Sequence, residues 1–133
     1  MLRAMPGRQP SVLVVDDHLD TCKMMVRLLR HMRCDAVCRE SGRAALDYLT
    51  GATPDLMVVD VMMPDLNGLD VLAAVRARPA TRAVPVIMYS AVTDDATAER
   101  AAALGAQAFV VKGRMAFGEL RGVVERHVRC PDA

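Results

Sequence analysis

Five short, almost wholly apolar runs recur along the chain: Val12–Val15, Ala36–Cys38, Leu56–Val59, Val84–Tyr89 and Ala108–Val111. Four of them are continuous rather than alternating, the pattern of strands covered on both faces. Between them the apolar spacing changes. Cys22, Met25, Val26 and Leu29 fall at i, i+3, i+4, i+7, as do Leu120, Val123, Val124 and His127, which predicts helices. Ser41 predicts a capped helix over 42–49, and Asn67 one over 68–76 that stops before Pro79. Asp94 or Thr93 caps an alanine-rich segment ending near Leu104, with Gly105 just beyond it. Strand followed by helix, five times over, implies an α/β fold with parallel strands, right-handed crossovers and helices on both faces.

Composition narrows the function classes. The chain's 133 residues suit one domain, with a flexible lead-in over 1–10, the domain over 11–129 and a short tail over 130–133. Seventeen basic against 16 acidic residues leave a net charge of +1, without the basic excess of a nucleic-acid binder. Tryptophan is absent and only four aromatics occur, so base-stacking platforms are excluded. No run of about 20 apolar residues could span a membrane, and the first ten residues lack the apolar segment of a secretory signal. Cys22, Cys34, Cys38 and Cys130 therefore read as reduced thiols of a cytoplasmic protein. His31, Cys34 and Cys38 match no zinc spacing. The ten methionines read as core.

Polar residues follow the apolar runs directly. The first run ends in Asp16-Asp17, the third in Asp60, the fourth in Ser90 and the fifth in Lys112. Arg39-Glu40 after the second reads as surface, and His18, after the acidic pair, as a loop residue. In a parallel α/β sheet ligands bind beyond the carboxyl ends of the strands, so these residues share one edge. Three carboxylates there repel one another unless a cation sits among them. Oxygen-only donors favour a hard ion, and Mg²⁺ fits because it retains waters and accepts phosphate oxygens. Carboxylate, hydroxyl, lysine and Mg²⁺ are together the parts of a phosphoryl-transfer site.

The stretches Val12-Leu-Val-Val-Asp-Asp17, Asp60-Val-Met-Met-Pro-Asp-Leu-Asn-Gly68, Ser90-Ala91 and Lys112 resemble the receiver domain of bacterial two-component response regulators. The likeness runs over about residues 11 to 128, nearly the whole chain. It implies a doubly wound, five-stranded parallel sheet in the order 2-1-3-4-5 flanked by five helices, the flavodoxin-like or CheY-like arrangement, an order the receiver CheY itself exemplifies. It also implies that Asp60 accepts a phosphoryl group from a sensor histidine kinase or histidine phosphotransferase. Asp17 and Asp60 would ligate Mg²⁺ together with the Met62 backbone carbonyl, and Asp16 would help through water. Ser90 and Lys112 would engage phosphoryl oxygens, and Phe109 would act with Ser90 as a switch. The face of the fourth and fifth strands and the last helix would carry the signal to a protein target or a dimer partner, with no direct nucleic-acid or membrane contact. The few residues after the last helix suggest a free-standing receiver. A fragment of a longer regulator and an interaction receiver that takes no phosphate are the alternatives.

The sequence departs from the family in three places. Gly113 stands where the family usually has a cis proline; a cis bond without proline costs about 2.5–4 kcal/mol, so a trans bond and a looser 113–115 loop are expected. Met62 and Val92 are apolar where relatives carry polar groups that could orient a hydrolytic water, which predicts a long-lived phosphoprotein. An aspartyl phosphatase would need a second carboxylate two residues after its nucleophile, where this chain has Met62. No Gly-x-x-x-x-Gly-Lys or Gly-x-Gly-x-x-Gly occurs to support nucleotide binding.

Overall fold

The computed structural model describes residues 8–91, 94–112 and 117–128. The elements run β1 (Ser11–Val15), α1 (Leu19–His31), β2 (Asp35–Arg39), α2 (Gly42–Tyr48), β3 (Leu56–Asp60), α3 (Gly68–Ala77), β4 (Val86–Ser90), α4 (Asp95–Ala103), β5 (Ala108–Val111) and α5 (Phe117–His127). All four strand pairings are parallel, and the order is β2-β1-β3-β4-β5. Only β4 begins later than its apolar run. Pro85 has no N–H to give the ladder, but its carbonyl still accepts from Met57 N at 3.0 Å.

The continuous apolar runs divide by parity between two cores. Val12, Val14, Leu56, Val58, Ile87, Tyr89 and Val110 pack with Met25 and Leu29 of α1 and Leu120, Val123 and Val124 of α5. Leu13, Val15, Met57, Val59, Val86 and Met88 face the other way, onto Ala45 of α2, Leu72 and Val75 of α3 and Ala101 of α4. Successive strand side chains point to opposite faces, so a strand buried on both needs apolar residues at every position.

The caps are local. Ser41 Oγ accepts from Ala44 N at 3.0 Å, and Asp94 Oδ1 from Ala96 N at 3.0 Å. Asn67 and Asp70 form a reciprocal capping box at the start of α3. Gly105, after α4, takes φ +95°, a region open to glycine. Of the lead-in, residues 8–10 are held in place: Arg8 Nη2 pairs with the Asp55 carboxylate at 3.0 and 3.1 Å, and Pro10 O accepts from Asp35 N at 2.8 Å.

The expectation of reduced cysteines fails for one pair. Cys22 and Cys38 form a disulfide, with Cα atoms 5.8 Å apart, that ties α1 to β2. The bond depends on how α1 lies against the sheet, which no local spacing reveals. Cys34 is buried outside that pair, and Cys130 lies outside the described residues. The methionines are not all core either: Met24 and Met62 are 48% and 58% exposed. Among the described residues no helix is long and apolar enough to cross a membrane.

Candidate functional site

With β1 between β2 and β3, the chain leaves β1 toward one edge of the sheet and β3 toward the other. The crevice beyond the carboxyl ends of β1 and β3 is the switch point where doubly wound sheets hold ligands. Asp16 follows β1 there, and Asp60 is the last residue of β3. Both are buried, at 0% and 1% exposure. Ser90, the last residue of β4, is also buried. Lys112 follows β5, and its backbone N donates to Ser90 O at 2.7 Å.

Ligand atoms of Asp16, Asp17, His18 and Asp60 all lie within 4.8 Å of one another. Lys112 Nζ reaches into this group, 3.1 Å from Asp16 Oδ2 and 3.2 Å from Asp60 Oδ2. His18 belongs to the cluster rather than to a bland loop: its Nδ1 stands 3.3 Å from Asp16 Oδ1 and 3.2 Å from Asp17 Oδ1. His18 N also donates to Asp16 Oδ1 at 2.8 Å. The α1 N-terminus begins at the next residue, so the chain must turn tightly out of the acidic pair.

Gly68 explains how β3 and α3 meet. A Cβ there would stand 2.2 Å from Asp60 O and 2.8 Å from Val61 Cα, so only glycine lets α3 start against the end of the strand. Gly68 N donates to Val61 O at 2.9 Å, closing the 61–67 loop back onto β3. Met62 N donates to Asp60 Oδ1 at 3.2 Å, and the Met62 side chain is exposed. Phe109 packs partly buried beside the α2–α4 core, in register with Met88. Val92 and Gly113–Met115, on which two expectations rest, lie outside the described residues.

Sequence reasoning missed Tyr89. Its side chain is fully buried, its hydroxyl donates to Asp16 Oδ2, and its ring lies beneath Lys112 Nζ, 4.6 Å from the centroid. The only signal was a tyrosine beside the polar end of a strand. Burial raises its pKa above the ordinary phenolic value, with the Asp16 hydrogen bond and the neighbouring carboxylates adding to the rise. The hydroxyl therefore stays a proton donor.

The two buried carboxylates are pulled in opposite directions. Burial alone would raise Asp16, but the Tyr89 hydroxyl, the His18 amide and Lys112 outweigh it and hold the carboxyl below its usual range. Asp60 is raised: burial dominates, Lys112 offsets it only in part, and the Asp16 charge adds to the rise. Asp17 Oδ1 and Asp60 Oδ2 are buried and accept no well-aligned hydrogen bond, although His18 Nδ1 and Lys112 Nζ each lie 3.2 Å away. Two underused carboxylate oxygens in a mostly oxygen donor set suit a hard divalent cation.

The family model for the response regulator receiver domain matches residues 12–125. The chain is 33% identical over 108 residues to the DNA-binding response regulator MtrA of Mycobacterium tuberculosis, covering 81% of this chain but 46% of that protein. The chain thus spans about half the length of that curated relative. Two-component response regulator ORR3 of Oryza sativa subsp. indica is 28% identical over 83% of this chain and 85% of its own. Among solved structures, chemotaxis protein CheY4 of Vibrio cholerae superposes with a TM-score of 0.85 at 26% identity, covering 91% of this chain and 100% of that one. A response regulator receiver protein from Pseudomonas putida gives a TM-score of 0.84 at 30% identity, covering 90% and 98%.

Proposed function

Because the chain belongs to the response regulator receiver family of two-component systems, we propose that it accepts a phosphoryl group on Asp60 and relays it as a change of surface. One observation carries this reading: the Asp60 carboxylate is buried at the strand end within 3.2 Å of Lys112 Nζ, inside an acidic cluster spanning 4.8 Å. Asp17 and Asp60 would hold Mg²⁺ with the Met62 carbonyl, and Asp16 would act through water. When bound, the ion offsets carboxylate and phosphoryl charge.

In the transfer, an Asp60 oxygen attacks phosphorus of a phosphohistidine. The P–N bond breaks, an acyl phosphate forms, and the imidazole nitrogen takes a proton. Lys112 pairs with one phosphoryl oxygen and the Ser90 hydroxyl donates to another. Tyr89 and Lys112 keep Asp16 ionised throughout. The dianionic group then pulls on Ser90, and Phe109, on the adjacent strand, moves with it. The donor is a histidine kinase or phosphotransferase, and the recipient is a protein that reads the β4–β5–α5 face. The chain works as a phosphoacceptor that assists its own transfer and slow hydrolysis.

Incubation with Mg²⁺ and acetyl phosphate, read by intact mass, should give a single phosphoryl adduct that vanishes in Asp60→Asn. Absence of the adduct, or its survival in the variant, refutes the reading.

A further inference from the structure

A groove of about 690 Å³ lies over α1 and the end of β2, apart from the carboxylates of the acidic site. Both disulfide cysteines, Cys22 and Cys38, line it. Cys22 is buried and Cys38 only half-buried. Lys23, Arg27 and Arg30 line it from exposed positions at i, i+4 and i+7 of α1, which places them on one face. His31 adds a fourth basic group, and Glu40 is the single carboxylate among the lining residues. Arg30 Nη2 donates to Ala36 O at 3.2 Å, which holds its guanidinium toward β2. A groove-lining disulfide among three permanent cations and one anion favours a negatively charged reagent.

We propose that this groove is a thiol–disulfide exchange site for small thiols that carry carboxylates. The basic residues bind the carboxylates and favour the thiolate, the reactive form. The thiolate attacks Cys38 Sγ, on the less buried of the two residues. A bond forms between the small thiol and Cys38, the Cys22–Cys38 bond breaks, and Cys22 leaves with the electron pair and takes a proton. Cys22 Sγ stands 3.2 Å from Asp16 O, so the new thiol has an acceptor in place. A second thiolate then attacks the small-molecule sulfur of the mixed disulfide and departs with it as a small disulfide, and Cys38 takes a proton. Two small thiols lose two electrons and two protons, and the cysteine pair gains them. The reverse reaction, with the small disulfide as oxidant, closes the bond. None of this depends on Asp60 taking a phosphoryl group.

The test uses the full chain, oxidised and mapped by non-reducing peptide mass spectrometry, which should show a Cys22–Cys38 link. Opening is then timed with glutathione, 2-mercaptoethanol and cysteamine at equal thiolate concentration. Glutathione should react about tenfold faster than cysteamine, and the contrast should collapse in Lys23→Gln/Arg27→Gln and at about 1 M salt. Both residues are exposed, so the variant keeps its fold, checked by its melting curve. In Cys22→Ser, oxidised glutathione should leave its adduct on Cys38. Absence of the Cys22–Cys38 link, equal rates for the three thiols, a contrast unchanged in the charge variant, or an adduct on Cys34 instead of Cys38 would each overturn the proposal.

Discussion

Replacing Tyr89 by phenylalanine tests the electrostatics of the site with the smallest possible change. The Asp16 carboxylate is fully buried and draws on three donors: His18 N at 2.8 Å, Lys112 Nζ at 3.1 Å and the Tyr89 hydroxyl. Tyr89→Phe removes one of them and keeps the ring that fills the core beneath Lys112, so the cavity contribution is small. A hydrogen bond to a charged acceptor is worth about 1.5–3 kcal/mol, which sets the expected loss near 2 kcal/mol at pH 7. For a chain of this size that corresponds to a fall in Tm of about 4–8 °C. The pH dependence follows from the sign of the Asp16 shift. A depressed carboxyl contributes stability that is present above its ordinary value of 3.8 and is lost as pH falls through its lower folded value. Tyr89 is the foremost cause of that depression. The gap between wild type and variant should therefore be widest near neutrality and shrink in acid, where only a neutral hydrogen bond remains. Urea unfolding without divalent ions, repeated from about pH 3 to 7, measures it. In an Asp16→Asn background the same substitution should cost less than half as much, since the acceptor is no longer charged. A gap below about 0.5 kcal/mol at pH 7, or one that stays constant into acid, would refute the argument.

Asp60→Asn should raise Tm at pH 7 without metal. Raised carboxyls contribute stability below their ordinary value and lose it as pH climbs through the folded value, so ionised Asp60 is a liability near neutrality. The advantage should vanish below pH 3.8, and a lower Tm for the variant at pH 7 would contradict it. Gly68→Ala pushes a methyl to 2.2 Å from Asp60 O, which forces α3 away from β3. A loss of about 1–3 kcal/mol in urea unfolding is expected, and a neutral result would mean that the α3 start is not pinned by that contact. Met62→Asn/Val92→Glu should shorten the acyl-phosphate lifetime, followed by decay of the intact-mass adduct. An unchanged or longer lifetime counts against the water-positioning argument.

Sheet, helices and strand-end carboxylates were legible because each depends on short-range pattern. Two-sided burial leaves unbroken apolar runs, and the first polar residue after each run falls at the sheet edge. Tyr89 was not legible, because the destination of its hydroxyl depends on the β3–β4 register that sets Tyr89 beside Asp60, and on β1 lying next to β3. The Cys22–Cys38 bond spans 16 residues and depends on the seating of α1. Arg76 reads as an ordinary helix residue, yet it donates to Val84 O at 2.7 Å, Arg82 O at 3.2 Å and Gly105 O at 2.7 Å, fastening the approaches to β4 and β5. A single arginine in a helical pattern carries no mark of such distant carbonyls.

Asp16 and Asp60 are the same side chain at the ends of neighbouring strands, with their pKa values displaced in opposite directions. Such a division is how one site assigns distinct tasks to chemically identical groups. Asp16 is saturated with donors, and its charge is already compensated within the protein. Asp60 has one oxygen on the Met62 amide and another facing Lys112 without a well-aligned hydrogen bond. Its charge is the one that incoming positive charge would relieve most. That imbalance supports the proposal that Asp60, rather than its better-paired neighbour, is the nucleophile, since its less compensated oxygen is the freer to attack.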